Sequence, residues 1–375
     1  MVNILFDGRP IRNPISGVAR YCTDLSIALS KNPDLSIEVL VQNFLNQNDK
    51  LGELISSGVS MSQLHYIPRK IENLYLEFGG DVTLGRRGFK PDIIHEAYFA
   101  RLDGPKSAKK IATIHDVIPI DCPELFSKRN VFFSKINLER QVESSDAIIA
   151  DSHYTKERIL DLFPGAASRI RVIPVGVSQS LIDYSQDNIP KQNSTEINDG
   201  RPYIVTVGNI EPRKNIETLA KSLLILNQGL SQELDLIVVG RSNYGEDEII
   251  DFCKKQLGDK IKFTGFVSER EKFDLISNAE ALVFPSQYEG FGIPAIESMM
   301  LGVPTLLANN SSLTELAVDK WQLFETFNSD ELADKLLSVV EQSYPSDLIE
   351  KSKKSACVYN WDSISKEISN LYMQM

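Results

Sequence analysis

Between Phe284 and Pro304 the chain reads Phe-Pro-Ser-Gln-Tyr-Glu-Gly-Phe-Gly-Ile-Pro-Ala-Ile-Glu-Ser-Met-Met-Leu-Gly-Val-Pro. Two carboxylates, Glu289 and Glu297, bracket the glycines at 290 and 292. Lacking a Cβ, those glycines let backbone N–H groups come close to a ligand. Ala281 to Phe284 read as a buried strand. Pro294 suits a first helical turn, and Gly302 followed by Pro304 suits a helix end. A helix start attracts an anion, while nearby carboxylates hold hydroxyl groups. The spacing therefore suits a phosphorylated, polyhydroxylated ligand; a strand–loop–helix unit whose glycines only make a turn is the alternative.

Cations gather in a second stretch, Tyr203-Ile-Val-Thr-Val-Gly-Asn-Ile-Glu-Pro-Arg-Lys-Asn-Ile-Glu217. A strand ends at Gly208, and Arg213 and Lys214 stand side by side before a helix. Such a pair neutralises a diphosphate and stabilises the charge that grows on a departing nucleotide; a solvated basic pair is the bland reading. Gly240-Arg241 follows another strand and Thr264-Gly-Phe-Val267 ends one, with Arg241 equally readable as an exposed surface cation. Nearer the N-terminus, Asn13-Pro-Ile-Ser-Gly-Val-Ala-Arg-Tyr21 puts Gly17 at a helix start, where a simple turn explains it as well as a phosphate site does. Ala112-Thr-Ile-His-Asp-Val-Ile-Pro119 puts His115 and Asp116 at a strand exit, the edge where doubly wound folds keep functional groups. A packed or capping histidine is the competing reading, and His65, His95 and His153 have weaker claims. Tyr98 and Phe133 read as core aromatics.

These residues need a scaffold. A chain of 375 residues, 42% hydrophobic and 24% charged, is globular material more comfortable as two domains than one. Strand-like runs at Val2–Phe6, Ile37–Val41, Leu64–Ile67, Ile93–His95, Lys110–Ile114, Ala147–Ala150 and Arg171–Val175 alternate with helical stretches, notably Ser16–Ser30 and Ser127–Ser144 and one after Leu64–Ile67. Val177 to Arg201 is rich in Ser, Gln, Asn, Asp and Pro, which is linker chemistry. Beyond it come strands Tyr203–Val207, Leu236–Val239, Ile261–Thr264, Ala281–Phe284 and Thr305–Leu307, with helices near 215–229, 246–257, 268–278 and 293–301. Repeated β and α segments predict an α/β protein of two Rossmann-like doubly wound domains. A last helix runs from Asn360 through Tyr372, with Trp361 as its anchor.

Bulk chemistry excludes several roles. The net charge of −11 argues against nucleic acid as a partner, and no apolar run approaches a membrane span. The first strand, stopping at Asp7, does not read as a signal peptide. Four scattered cysteines and four scattered histidines form no zinc spacing and point to free thiols in a reducing cytoplasm. The charge is uneven: residues 1–175 carry 22 Lys+Arg against 21 Asp+Glu, a balance of +1, and residues 176–375 carry 18 against 30, a balance of −12. The N-terminal half is thus the better candidate to meet an anionic surface.

The Gly17 loop, His115-Asp116, Arg213-Lys214 and the Glu289/Glu297 segment stand in the order found in the retaining glycosyltransferases of family four, and the chain resembles that family over nearly its whole length. The resemblance implies the GT-B fold: residues 1–178 plus 360–375 as the acceptor-side domain, residues 179–359 as the nucleotide-sugar donor domain, and a final helix crossing back to the first. It implies transfer of a hexose to a hydroxyl acceptor with retention, by front-face attack within a short-lived ion pair. Arg213 and Lys214 would hold the leaving diphosphate. Gly290, Phe291, Gly292 and Ile293 would bind donor sugar and phosphate through the backbone. Glu297 would take the ribose, and Glu289 and His115 would serve the transferred sugar. Gly17, Gly208, Arg241 and Val267 complete the implied donor site, Val267 through its backbone.

No two aspartates in the chain are separated by one residue, so the metal-holding Asp-x-Asp of other glycosyltransferases is missing, and neither metal nor cofactor is expected. The wording Asp7-Gly-Arg-Pro and His-Asp-x-Ile-Pro most resembles bacterial polysaccharide mannosyltransferases. This favours GDP-mannose as donor, with a UDP-sugar next, and a saccharide or lipid-linked saccharide as acceptor. A cytoplasmic protein with peripheral membrane contact through the N-terminal domain is the expectation. A GT-B sugar-nucleotide epimerase or hydrolase, and a non-catalytic sugar-nucleotide-binding partner, are the other classes.

Overall fold

A computed structural model gives the fold and describes residues 1–12, 16–42, 49–64, 82–83, 89–98, 102–103, 105–186, 198–241 and 246–375. The chain forms two compact units, residues 1–176 with 360–375 and residues 177–359. The first unit is built on seven strands: β1 (Val2–Asp7), β2 (Leu35–Gln42), β3 (Ser60–Leu64), β5 (Ile93–Glu96), β7 (Lys109–Ile114), β8 (Ala147–Ala150) and β9 (Ile170–Val172). Their order is β3-β2-β1-β5-β7-β8-β9, all pairs parallel. Two-residue strands β4 (Val82–Thr83) and β6 (Leu102–Asp103) pair separately. The central strands β5 and β8 are buried along their whole length, as a sheet covered on both faces requires.

Helices α1 (Gly17–Ser30), α2 (Asp49–Ser56), α3 (Lys128–Ser144) and α4 (His153–Leu162) connect these strands. Ser16, Ser127 and Ser152 each accept a backbone N–H at a helix start, so three of these boundaries are set by local capping. The second unit contains β10 (Tyr203–Val207), β11 (Asp235–Val239), β12 (Ile261–Gly265), β13 (Ala281–Phe284), β14 (Thr305–Ala308) and β15 (Leu323–Phe324), ordered β12-β11-β10-β13-β14-β15. Helices α5 (Gln179–Gln186), α6 (Ile216–Asn227), α7 (Glu246–Leu257), α8 (Glu269–Ser277), α9 (Ile293–Leu301), α10 (Ser329–Val340) and α11 (Leu348–Ala356) belong to it. Strand order reverses at β1/β5 in one sheet and at β10/β13 in the other. Ligands of such folds sit at the carboxyl edge of these switch points.

Three expectations need correction. The stretch read as linker carries α5, because Leu181 is fully buried and Tyr184 donates to Asp274 Oδ1 at 2.6 Å, giving a polar-looking segment a tertiary anchor. The strand expected at Leu64–Ile67 is Ser60–Leu64, paired in register with β2 from Glu38↔Ser60 to Gln42↔Leu64; residues 65–67, His65 and the helix expected after them lie outside the described residues. The strand expected to run to Val175 stops at Val172. Residues 13–15 of the Gly17 loop are also outside the described residues.

The last helix, α12 (Trp361–Met373), is amphipathic, burying Trp361, Ile364, Ile368 and Tyr372 at three- and four-residue spacing in the first unit, where it packs on α1. Tyr372 Oη lies 2.5 Å from His95 Nδ1, and His95 Nε2 lies 2.7 Å from Thr113 Oγ1, which meets Tyr21 Oη at 2.9 Å. Burial pushes the His95 pKa down to about 3, with His115 adding to the effect. His95 is therefore a neutral core histidine. Replacing Tyr372 with Phe leaves one ring nitrogen without its partner, and equilibrium denaturation should show a loss of about 1–3 kcal/mol. Because the folded His95 pKa lies below its ordinary 6.5, its contribution is full above that pH and is lost as pH falls toward 3.

Candidate active site

The carboxyl edge at the β10/β13 switch point holds the densest charge. After β10 the chain passes Gly208 and a short 3-10 turn, Pro212–Lys214, before α6. Gly208 and Gly240 pass so closely that a Cβ built on Gly240 would lie 1.9 Å from the Gly208 carbonyl oxygen, so a side chain there would force the two loops apart. Asn215, left-handed at φ 51°, turns the chain into α6, and its amide donates to the carbonyls of Pro285 at 3.0 Å and Thr326 at 2.7 Å. The loop after β10 is thereby fixed to the loop after β13.

Glu289 closes that junction. Its Oε1 takes Lys214 Nζ at 2.6 Å and Arg213 Nη1 at 2.8 Å, while Arg213 also donates to the Tyr288 carbonyl at 2.8 Å and pairs with Glu211 at 2.5 Å. Lys214 Nζ sits 4.8 Å above the Phe284 ring. Burial opposes ionisation of Glu289, but Arg213 and Lys214 outweigh it and hold the carboxyl at about 2. Burial also lowers the Lys214 pKa, ahead of the upward pull of Glu289. The two cations thus stand nearly dry, balanced by two carboxylates, in a place where an added anion would be weakly screened.

The glycine loop is braced from the segment after β14. Glu289 N donates to Ser311 Oγ at 3.0 Å, and Ser312 Oγ donates to the carbonyls of Glu289 and Phe291 at 2.9 and 3.0 Å. Gly292, at φ 114°, is the residue that turns the loop into α9, with Pro294 in its first turn and Gly302 at its end. Gly290, Phe291 and Gly292 are buried and Ile293 is half-buried. Glu297, 1% exposed within α9, receives Lys272 Nζ of α8 at 2.5 Å.

The remaining expected residues stand on other elements. Arg241 is exposed and stacks over the exposed Phe266 ring at 4.8 Å, and Val267 is half-buried. Gly17 and His115 belong to the first unit. Gly17 is exposed at the first position of α1, and a Cβ there would meet nothing within 4 Å. Asp116 shapes the turn after β7, its Oδ1 accepting Ile118 N at 3.0 Å. Tyr98, expected in the core, is 43% exposed, while Phe133 is half-buried.

His115 has a partner that the sequence reading missed. Its Nδ1 lies 2.6 Å from Asp151 Oδ2, a carboxylate 2% exposed at the exit of the neighbouring strand β8. Parallel pairing of β7 and β8, Ile114↔Ala150, places the two exits side by side. Burial would lower the His115 pKa; Asp151, through charge and hydrogen bonding, with Asp116 and the Ala97 backbone, reverses this and raises it above 6.5. Asp151 follows an apolar strand directly, as His115 does, and that was the available signal. Glu211, Asn215, Lys272, Ser311 and Ser312 carried no comparable one. All four cysteines are free, and the described residues contain no group of three or more metal-ligating side chains and no helix long and apolar enough to cross a membrane.

Glu289→Gln leaves two nearly dry cations short of a counter-charge, and denaturant unfolding should register a loss of about 3–5 kcal/mol. The folded pKa of Glu289 lies below its ordinary 4.5, so its contribution is present above that pH and disappears as pH falls toward 2. The variant should lose that part of the acid sensitivity, measured as stability against pH.

Two family descriptions match the chain: Glycosyltransferase Family 4 over residues 15–181 and Glycosyl transferases group 1 over residues 187–355. The O-antigen chain mannosyltransferase B of Escherichia coli is 25% identical over 384 residues, 99% of each chain. Among solved structures, sucrose-phosphate synthase from Thermosynechococcus elongatus superposes with a TM-score of 0.72 at 19% identity, covering 100% of this chain and 99% of that one. The Anabaena HepE protein in complex with UDP and glucose gives 0.69 at 17% identity, with both chains fully covered. The two parallel sheets are thus those of the GT-B fold, and the chain belongs to the glycosyltransferases of family four, group 1.

Proposed function

We propose that this glycosyltransferase moves mannose from GDP-mannose to a hydroxyl of a saccharide or lipid-linked saccharide, with retention of configuration and without a metal, during assembly of a bacterial surface polysaccharide or glycolipid. The observation carrying the reading is the part-buried Arg213–Lys214–Glu289 group at the carboxyl edge of β10 and β13. Arg213 and Lys214 receive the diphosphate and stabilise it as it leaves, the work a divalent ion does elsewhere. Backbone groups of Gly290 to Ile293 at the start of α9 hold donor phosphate and sugar. Glu289 orders the cations and reaches the transferred sugar, Glu297 takes the ribose, and His115 steadies the sugar. Gly208 and Gly240 let the phosphate-side loops approach closely, while Gly17 offers open space beside the first turn of α1.

The mannosyl reading draws on the Escherichia coli relative, whose name is that of an O-antigen chain mannosyltransferase. The Anabaena protein bound to UDP and glucose supports a nucleotide sugar as donor and makes a UDP-sugar the competing choice. A screen of GDP-, UDP-, dTDP- and ADP-sugars by thermal shift separates them, since a ligand bound only to the folded state raises apparent stability. GDP-mannose should raise the melting temperature most, and a larger shift with a UDP-sugar would replace it as donor. Arg213→Ala should lower kcat roughly 100- to 1,000-fold, and excess EDTA should leave turnover unchanged. Product analysis with and without acceptor distinguishes transfer from epimerisation or hydrolysis.

A surface of the first unit favours a membrane contact that would bring a lipid-linked acceptor within reach. In α3 the buried residues are Leu138, Gln141 and Val142, all in its second half. The first half exposes Lys128, Arg129 and Lys135, and Phe132 is 60% exposed. Two cations in the first turn of a helix oppose its dipole, a cost that an anionic surface offsets. Cosedimentation should show binding to phosphatidylglycerol vesicles that weakens with salt and with Lys128→Glu or Phe132→Ala. Equal binding to phosphatidylcholine vesicles would remove the electrostatic component.

A further inference from the structure

We infer that Asp151 is a positioning residue for His115: its buried carboxylate accepts the hydrogen bond of Nδ1–H and fixes the ring and its tautomer, so that His115 meets the donor sugar in one orientation. This rests on the transferase reading above for its catalytic consequence, and on geometry alone for the pair. The carboxylate is 3% exposed at its side chain and the imidazole 17%, with 2.6 Å between Nδ1 and Oδ2. A short contact of this kind, out of water, sets which ring nitrogen carries a proton. The orientation is fixed from a second side by Tyr21, whose ring meets the imidazole edge-on at 4.7 Å. Tyr21 is itself held by Thr113 and lies edge-on to Trp361 at 5.7 Å.

Other charged or titratable neighbours do not substitute for Asp151. Asp116 lies next in the chain, but its Oδ1 is engaged by Ile118 N. His95 on β5 is neutral and bonded to Tyr372 and Thr113, and the Ala97 backbone adds only a dipole that favours protonation of His115. The pairing also resolves a difficulty in the chemistry. A sugar losing its nucleotide gains positive charge, and a lone imidazolium beside it would oppose that change. With Asp151 in contact, positive charge on the ring is offset by the carboxylate while the orientation stays fixed.

The test uses the full-length chain with ¹⁵N-labelled histidine. In the unliganded wild type, Nδ1 of His115 should be protonated at neutral pH, with a titration midpoint above 6.5. Asp151→Asn should move that midpoint downward and lower kcat at least roughly 10-fold, as losing the partner of a metal-bound histidine does. The KM for the donor should change less, Asp151→Glu should recover part of kcat, and Asp151→Asn should add no loss in a His115→Ala background. An unprotonated Nδ1 in the wild type, a midpoint unmoved by the substitution, or an equal loss of kcat with His115 already removed would each overturn the proposal. The wild-type measurement needs no variant to fold and no substrate. A pair intact by NMR together with full turnover in His115→Ala would instead overturn the assignment of His115 to the sugar, and the catalytic consequence with it.

Discussion

One carboxylate oxygen organises the donor half of the molecule. Glu289 Oε1 accepts both Lys214 and Arg213, and these cations belong to the loop after β10 while Glu289 belongs to the loop after β13. Two segments 75 residues apart in sequence are thereby drawn together at the switch point of the sheet. Neither cation would remain charged at low cost in such a dry position without a counter-charge. Asn215 and Ser312 donate to backbone carbonyls of these loops and Ser311 accepts the Glu289 N–H, so they set the path of the loops and leave the charges to balance among themselves.

The first unit follows the same rule with different residues. Polar groups collect at the exits of β1, β5, β7 and β8, where the parallel sheet ends. Asp7 forms a two-point contact with Arg9, both bonds 2.8 Å, and Glu96 accepts Leu102 N at 2.8 Å. His115 and Asp151 occupy the next two exits. Deeper in the unit, Tyr372, His95, Thr113 and Tyr21 form one continuous chain of polar contacts. Such a chain fixes the last helix to its sheet by hydrogen bonding as well as by apolar burial.

Legibility tracked the range of the interaction that decides each feature. Strand positions, the α9 boundaries at Pro294 and Gly302, and the Arg213-Lys214 pair before α6 could be read because propensity, capping and chain order are local. The segment 179–186 misled because its composition is polar, and only packing of Leu181 and the Tyr184–Asp274 hydrogen bond holds it as a helix. Glu297 could be seen as a helical carboxylate, whereas its pairing with Lys272, 25 residues upstream, could not. Arg241 was equally readable as a donor-site cation and as an exposed one, and its stacking over Phe266 could not be seen in the sequence.

The sequence by itself determined the alternation of strands and helices, the placing of glycines and charges at strand exits, and, through the order of four motifs, the family to which the chain belongs. Tertiary structure alone decided which of those charges are paired and how dry they are. It joined Glu289 to Arg213 and Lys214, gave His115 its Asp151, and made His95 a neutral core residue. The physical reason is that a side chain's ionisation and reach depend on burial and on partners a few ångströms away in space, and parallel strands bring together partners that lie tens of residues apart along the chain.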